Sequence, residues 1–290
     1  ALKIDVQGGH ALRYGENPHQ QGYFYGNLSA ALQQLHGKEI SYNNLLDIDA
    51  SIQLMAEYTA PTFAILKHNN ACGLATREHL TESWKAALAG DPVSAFGGVL
   101  ITNRMVTAEV AESMNELFFE VCIAPGYSPE ALTLLQQKKN RIILINNNIE
   151  PSKTHYRSLL NGVVAQDRDL HSESVADMKT VTRKQPTAAE MNDLEFAVRA
   201  VKHTKSNAIV LVKGTQLLAS GTGQTSRVDA LQQAIAKARH FGFDLKGAVM
   251  ASDAFFPFSD CVEIAHAAGI TAVIQPGGSV RDQDSVEAAD

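Results

Sequence analysis

The chain has 290 residues, of which 45% are hydrophobic and 19% charged, with 20 glycines and 9 prolines. This composition is typical of a globular protein and excludes a collagen, a coiled coil or a largely disordered chain. The 25 Lys and Arg against 31 Asp and Glu give a formal net charge of −6, which disfavours nucleic-acid binding because such proteins usually present a basic face.

The cysteines Cys72, Cys122 and Cys261 lie far apart and are odd in number. This pattern fits neither a disulfide framework nor a zinc site, and it favours a reducing, cytoplasmic location with no bound metal. No apolar run reaches the roughly 18 residues that a membrane-spanning helix needs, so we expect no membrane association.

The predicted elements alternate between helices and strands after residue 44. Before that point the sequence is rich in Gly, Asn, Gln and Tyr and predicts loops and short strands. Apolar spacing then predicts a helix over 45–58. The next predicted elements are a strand at 62–66, a helix at 78–89, a strand at 98–102, a helix at 108–119 and a strand at 121–124. A helix starting at Ser128 and a strand at 141–145 follow.

The second half continues the same alternation. Thr187 and Glu190 have capping-box spacing and predict the start of a helix that runs to about Lys202. The remaining predictions are a strand at 208–212, a helix at 230–240, a strand at 248–251, a helix at 261–268 and a strand at 271–274. Such alternation indicates an α/β layered fold with a largely buried sheet.

A faint internal repeat relates the two halves. Residues 62–67 resemble 207–212, residues 97–102 resemble 246–251, and residues 120–125 resemble 271–276. Short buried strands can resemble one another without common origin, but the same order and nearly constant offsets favour two copies of one α/β unit. The polar stretch around 167–183 is the predicted boundary. We therefore expect one unit over residues 1–170 and another over 171–290.

Polar clusters lie at the predicted ends of strands and helices. They occupy residues 13–19, 67–73, 94–98, 205–207, 221–227, 252–260 and 275–279. Open α/β sheets bind ligands beyond the carboxyl ends of their strands. Lys67 and His68 directly follow one predicted strand and Asp253 follows another, so these residues are placed where a ligand crevice would lie.

Each cluster also has an ordinary structural interpretation. Lys67 and His68 could form a loop, and the Gly pairs at 97–98 and 277–278 could be turns with positive φ. Arg13 and Arg227 fit either phosphate or carboxylate recognition or an interdomain ion pair. The aromatic residues at 255, 256 and 258 fit either a core or a wall for a flat heterocycle.

Taken together, the clusters resemble the transformylase half of the bifunctional purine biosynthesis protein, phosphoribosylaminoimidazolecarboxamide (AICAR) formyltransferase. The shared motifs are Lys-His-x-x-x-Cys-Gly at 67–73, Asp-Pro-x-Ser-Ala-Phe-Gly-Gly at 91–98, Lys-Ser-Asn-Ala-Ile at 205–209 and Ser-Asp-Ala-Phe-Phe-Pro-Phe at 252–258. They occur in the family's order, and the likeness extends from residue 12 to residue 282. The resemblance implies two tandem cytidine-deaminase-like α/β/α units with mixed sheets.

The resemblance also implies a reaction and a set of site residues. The reaction transfers a formyl group from 10-formyltetrahydrofolate to the 5-amino group of AICAR, in de novo purine (IMP) biosynthesis. By this resemblance His68 is the general base, Lys67 stabilises the oxyanion or the leaving folate nitrogen, and Asn207 contacts the formyl group and folate. The implied binding residues are Arg13, Tyr14, Asn44, Phe96, Gly97, Glu120, Arg227, Phe255, Phe258, Asp260, Gly277 and Gly278.

The resemblance also implies a set of partners. They are AICAR, folate, a second subunit in a homodimer whose interface forms the active site, and an IMP cyclohydrolase domain or chain. The Pro-Cys-x-x-Cys signature of zinc deaminases is missing from the sequence, so no zinc is expected; a need for a monovalent cation is left open. The family continues past the position of Asp290 with a short Arg/His-rich tail, so we expect the second unit to be incomplete. The alternative function is a catalytically incomplete folate- or nucleotide-binding module.

Overall fold

The computed structural model describes Lys3 and residues 6–290. The first half of the chain forms β1 (Gly9–Ala11), β2 (Tyr23–Tyr25), α1 (Leu28–Ala31), β3 (Leu32–His36), α2 (Tyr42–Met55), β4 (Thr62–Lys67), β5 (Asn70–Thr76), α3 (Leu80–Gly90), β6 (Val99–Thr102), α4 (Ala108–Asn115), β7 (Val121–Ala124), α5 (Pro129–Leu135) and β8 (Ile142–Asn146). The second half forms β9 (Thr154–Leu159), β10 (Gly162–Asp167), α6 (Ala188–Lys202), β11 (Ile209–Val212), β12 (Leu217–Gly221), α7 (Arg227–His240), β13 (Val249–Ser252), α8 (Asp260–Ala268), β14 (Ala272–Ile274) and α9 (Asp282–Ala289).

Two mixed sheets form the framework of residues 6–290. The larger has the strand order β3-β8-β7-β6-β4-β5, and the smaller has the order β12-β11-β13-β14. In both sheets the hairpin pair β4–β5 or β11–β12 is antiparallel, the next pair is antiparallel, and the pair after it is parallel. The predicted α/β class with mixed sheets is confirmed.

The two sheets share one topology over four strands each. The order β5-β4-β6-β7 matches β12-β11-β13-β14 strand by strand, and a helix precedes each set. The three segment pairs that resemble each other in sequence fall on the matching strands β4 and β11, β6 and β13, and β7 and β14. We call the segment from α2 to β7 the first repeat and the segment from α6 to β14 the second repeat. The boundary near residue 170 stays a prediction.

The repeats meet along the edge strands β5 and β12. A single antiparallel bridge joins Ala75 to Gln216 there. Helices α2 and α6 pack against the same core, where the rings of Tyr58 and Phe196 lie 5.1 Å apart and the Tyr58 hydroxyl donates to the Phe196 carbonyl at 3.2 Å. Apolar residues of both repeats are therefore buried together.

Several boundaries differ from the sequence prediction for physical reasons. Helix α2 begins at Tyr42 because Ser41 and Asn44 form a capping box in which Asn44, rather than the usual Glu or Gln, returns the second hydrogen bond at 3.1 Å. Helix α4 ends at Asn115, four residues early, since Phe119 turns inward beneath the guanidinium of Arg141, 4.1 Å from its ring centre. Strands β5 and β12 and the hairpin of β9 and β10 were not predicted.

Candidate active site

A tight turn carries the Lys67-His68 pair. Strands β4 and β5 are joined by His68 and Asn69, and Lys67 pairs with Asn70 across the hairpin. His68 and Asn69 have φ values of 51° and 66°. Two successive left-handed residues are the pattern of a type I′ turn, whose twist matches that of the flanking strands. His68 is exposed immediately beyond the strand, whereas Lys67, which was predicted to follow the strand, is its last residue because it pairs with Asn70.

The ammonium group of Lys67 reaches the loop that precedes β6. Its Nζ donates to the carbonyl of Phe96 at 2.7 Å. Gly97 has a φ of 73°, and its N–H donates to the carbonyl of Phe118 at 2.8 Å. The rings of Phe96 and Phe118 lie 5.0 Å apart and are both exposed. A cation, a left-handed glycine and an exposed aromatic pair therefore adjoin one another.

The beginning of α2 adds polar groups to the same region. The side-chain amide of Asn44 donates to Glu120 Oε2 at 3.2 Å, and Lys38 Nζ lies 3.5 Å from the same oxygen. The backbone N–H of Glu120 donates to the carbonyl of Gly98 at 3.1 Å. Asn44 and Glu120 are therefore held next to the Gly97-Gly98 loop.

Tyr14 contacts the same end of α2, and Arg13 lies against Tyr14. The N–H of Tyr42 donates to the Tyr14 carbonyl at 3.3 Å. The guanidinium of Arg13 lies 4.7 Å from the centre of the Tyr14 ring and donates to its hydroxyl at 2.9 Å. Within the described residues Arg13 forms no interdomain ion pair, and it remains exposed. Its guanidinium is available to an anion from solvent.

Arg227 lies at the centre of a polar cluster in the second repeat. Its three guanidinium nitrogens donate to Ser252 Oγ at 2.8 Å, to Asn207 Oδ1 at 2.7 Å and to Asp253 Oδ1 at 2.9 Å. Asn207 Nδ2 in turn donates to the carbonyl of Gln224 at 2.9 Å. Arg227 therefore forms an ion pair inside the second repeat, rather than between domains, and it orients the Asn207 amide.

The aromatic segment after β13 divides into core and surface. Phe256 is buried, whereas Phe255 and Phe258 are 44% and 50% exposed. Arg281, which the sequence reasoning missed, lies over the Phe258 ring at 4.9 Å. Phe256 N donates to Gln275 Oε1 at 2.5 Å, which ties this segment to the loop that follows β14.

That loop and the start of α8 hold the remaining predicted binding residues. Gly277 and Gly278 have φ values of 72° and 99°, which lie in the left-handed region that favours glycine. The Gly278 N–H donates to Asp282 Oδ2 at 2.7 Å. Asp260 opens α8 and accepts from the N–H of Cys261 at 2.8 Å.

A groove lies where the two repeats meet beside Lys67. The backbone N–H of Lys205, just before Asn207, donates to Asn70 Oδ1 at 3.0 Å and links the second repeat to the hairpin. The groove has a volume of about 220 Å³. Its lining includes Lys67, His68 and Cys72 from the first repeat and Ser220, Thr222 and Lys237 from the second. The structure thus brings the Lys67-His68 turn to the second repeat, while Phe255 and Phe258 stay on the surface beyond β13.

Asp47 is a site neighbour that the sequence reasoning missed. Its Oδ1 accepts the backbone N–H of Asn69 at 2.6 Å. Burial raises the pKa of Asp47, although this hydrogen bond and the nearby charge of His68 act in the opposite direction. One signal was available, because Asn44 and Asp47 are three residues apart and therefore share a helix face.

The cysteines are unsuited to nucleophilic roles. Burial raises the pKa of Cys72, Cys122 and Cys261 to about 12 in each case, so their thiols stay protonated at neutral pH. Within the described ranges no group of three or more His, Cys, Asp or Glu side chains could hold a metal ion. No helix in this part of the chain is long and apolar enough to cross a membrane.

Comparison with known proteins identifies the family. Residues 1–237 match the family model described as AICARFT/IMPCHase bienzyme. The chain belongs to the AICARFT/IMPCHase bienzyme family. This confirms the resemblance inferred from the four motifs.

Relatives of this bienzyme family are similar along nearly the whole chain. The sequence is 66% identical over 282 residues to the bifunctional purine biosynthesis protein PurH of Bacteroides thetaiotaomicron, covering 97% of this chain and 56% of that protein. It is 46% identical over 301 residues to PurH of Caldicellulosiruptor saccharolyticus, covering 99% and 57%, and 48% identical over 283 residues to PurH of Aquifex aeolicus, covering 96% and 55%. The chain therefore spans little more than half the length of these relatives.

Proposed function

We propose that this chain carries AICAR formyltransferase activity, moving a formyl group from 10-formyltetrahydrofolate to the 5-amino group of AICAR in IMP biosynthesis. The observation that carries the proposal is the exposed His68 on a rigid turn, with the Lys67 ammonium beside it, in a chain of the AICARFT/IMPCHase bienzyme family. The relatives named bifunctional purine biosynthesis protein support the same assignment.

The chemistry requires one base and one cation. The AICAR amine is a poor nucleophile because its lone pair is delocalised into the imidazole and carboxamide. As its nitrogen bonds to the formyl carbon, the amine loses a proton and the formyl oxygen gains negative charge. The carbonyl then re-forms as the folate nitrogen leaves with the electron pair of its broken bond and takes up a proton, so that the proton removed from the amine ends on the folate. His68 takes the amine proton, since an imidazole is the side chain most often used as a general base in enzymes. Lys67 exchanges the Phe96 carbonyl for the developing oxyanion.

Substrate binding follows from the two polar clusters. Arg13 and Tyr14 hold the AICAR phosphate, and Asn44, Glu120 and Gly97 surround the ribose and base. Asn207 Nδ2 uses one hydrogen on Gln224 and directs the second to the formyl group. The folate and heterocycle side is formed by Arg227, Phe255, Phe258, Asp260, Gly277, Gly278 and the ring of Phe96.

The assembly belongs to the same proposal. The two repeats are cytidine-deaminase-like units with a boundary near residue 170, which the shared strand order supports. The chain acts as a cytoplasmic homodimer with the site at the subunit interface, together with an IMP cyclohydrolase domain or chain. The exposed aromatic pair Phe96–Phe118 next to Lys67 supports a covering subunit there. The reaction needs no zinc.

Formyl transfer by the purified chain tests the proposal. AICAR and 10-formyltetrahydrofolate are supplied, and wild type, His68→Ala and the exposed control His155→Ala are compared. His68→Ala should lower kcat by roughly 10²–10⁴, the usual contribution of a positioned general base, while AICAR binding measured by calorimetry changes little. His155→Ala should match wild type. Binding of both substrates by wild type without turnover would instead favour the incomplete binding module, and normal turnover of a folded His68→Ala protein would exclude His68 as the base.

A further inference from the structure

Asp47 and Asp193 occupy equivalent places in the two repeats. Asp47 lies on α2 before β4, and Asp193 lies on α6 before β11, each at the same distance along the sequence before its hairpin turn. Asp47 accepts the N–H of Asn69 at 2.6 Å. Asp193 accepts the N–H groups of Gly214 and Thr215 at 2.8 and 2.7 Å. An acid on the preceding helix therefore binds the backbone of the hairpin turn in both repeats.

The two turns also share a strained backbone. His68 and Asn69 have φ values of 51° and 66°, and Gly214 and Thr215 have values of 59° and 51°. A residue other than glycine is strained in this region and persists only where its surroundings hold it. A hydrogen bond from a backbone N–H to a carboxylate is among the stronger ones available. The carboxylates of Asp47 and Asp193 therefore help to hold the left-handed backbone of the two turns.

The surroundings of the two turns differ. Thr215 is fixed a second time, because Thr76 N donates to its carbonyl and its own hydroxyl donates to the Thr76 carbonyl, both at 2.9 Å. The first turn projects outward: His68 and Asn69 are exposed. Asp47 is therefore the contact that joins the outer residue of this turn to the rigid helix α2.

We propose that Asp47 is a positioning residue for His68. By holding the Asn69 N–H it fixes the left-handed turn, so that the imidazole one residue earlier points toward substrate beside the Lys67 ammonium. The titratable groups facing the Asp47 carboxylate are His68 from the turn and Glu120, the residue just before β7. The kinetic part of this inference rests on the proposed function. A misplacement of about 1 Å at a reacting group can cost roughly 10²-fold in rate.

Three variants test the proposal, with Asp193→Ala as the matched control. Asp47→Ala should expose the Asn69 amide, so its hydrogen-exchange rate measured by NMR should rise at least about tenfold. The same variant should lower kcat about 10- to 100-fold and leave KM for AICAR within about threefold of wild type. Asp47→Asn keeps an acceptor oxygen and should recover most of the lost rate. Asp193→Ala should raise the exchange rate of the Thr215 amide and lower Tm, yet leave kcat within about threefold of wild type.

An activity-independent readout separates this inference from the proposed function. In Asp47→Ala the His68 ring resonances should move toward the values of an unstructured peptide, whereas in Asp193→Ala they should stay in place. Wild type without formyl transfer would overturn the proposed function, and the ring resonances would still decide the role of Asp47. Unchanged ring resonances or normal kcat in a folded Asp47→Ala protein would overturn the positioning role, as would equal kcat losses in Asp47→Ala and Asp193→Ala.

Discussion

Arg227 donates a hydrogen bond of 2.7 Å to the side-chain oxygen of Asn207, and this contact sets the orientation of the Asn207 amide. The same guanidinium pairs with Asp253, whose carboxylate also accepts the N–H of Ala208 at the entrance to β11. Asn207 Nδ2 donates one hydrogen to the Gln224 carbonyl, which leaves one amide hydrogen for the contact with the formyl group proposed above.

The ion pair predicts a large stability loss when Arg227 is neutralised. The side chains of Arg227 and Asp253 are only 10% and 14% exposed, so Arg227→Gln leaves a nearly buried carboxylate without its charge partner. We expect the free energy of unfolding to fall by about 3 kcal/mol in urea denaturation. The control is Arg183→Gln, where an 86% exposed arginine pairs with Asp290 and the change should stay below about 0.5 kcal/mol. Equal stability of the two variants would show that Asp253 is well solvated.

Lys67 is expected to act on rate rather than on binding. Lys67→Ala removes the cation proposed to meet the oxyanion, so kcat should fall on the order of 10²–10³ while KM changes far less. The double variant with His68→Ala should lose less than the product of the single losses, because both groups act on one tetrahedral intermediate. Exposed Lys85→Ala is the control. Steady-state kinetics showing a raised KM at normal kcat would reassign Lys67 to substrate binding.

Acid should destabilise the protein through Glu57. Burial raises the pKa of this carboxyl, but hydrogen bonds from His203, Ser172 and Lys202 outweigh burial and lower it to about 2, against an ordinary 4.5. The folded state therefore binds the proton later than the unfolded chain. The resulting stability, about 3 kcal/mol, is fully present above pH 4.5 and is lost as pH falls toward 2.

Urea denaturation at a series of pH values checks this assignment. Glu57→Gln should reduce the loss of unfolding free energy between pH 5 and pH 3, whereas the exposed Glu130→Gln should follow wild type. Parallel curves for wild type and Glu57→Gln would contradict the lowered pKa.

Gly221 should tolerate no side chain. A β-carbon there would lie 1.7 Å from the carbonyl oxygen of Ala230, because β12 and α7 pack backbone to backbone. Gly221→Ala should lower the unfolding free energy by about 3 kcal/mol or prevent folding. Gly162→Ala, on the exposed hairpin with nothing within 4 Å, should leave Tm nearly unchanged. A normal Tm for Gly221→Ala would require the helix to shift easily.

The sequence predicted the buried framework better than its edges. Strands such as β4 and β11 are continuous apolar runs, so their type and order could be predicted before any contact was known. Strand β5 was not predicted because it starts with polar Asn70 and contains Gly73. The backbone of Gly73 lies against α3, and a β-carbon at Gly73 would be 2.1 Å from the Ala87 carbonyl oxygen. Its edge position against the second repeat is a tertiary fact that no local pattern encodes.

The candidate site shows the same limit. His68 could be placed just after a strand from sequence, although Lys67 proved to be the last residue of that strand, and the motifs carried the resemblance. The sequence could not show whether Arg227 binds a ligand or forms an ion pair. The answer depends on Asp253, which follows β13, whereas Arg227 lies on α7. Asp47 was missed because its role depends on a backbone N–H of a turn more than twenty residues away.

The junction between the repeats is fastened unevenly. At one end Thr76 and Arg77 bind Thr215, Gly214 and Gln216 through several hydrogen bonds of 2.7–2.9 Å. Beside the groove, the ties include the bond from Lys205 to Asn70 and the ion pair of Lys237 with Asp91. Any relative motion of the repeats should therefore pivot about the Arg77 end and widen the entrance beside Lys67.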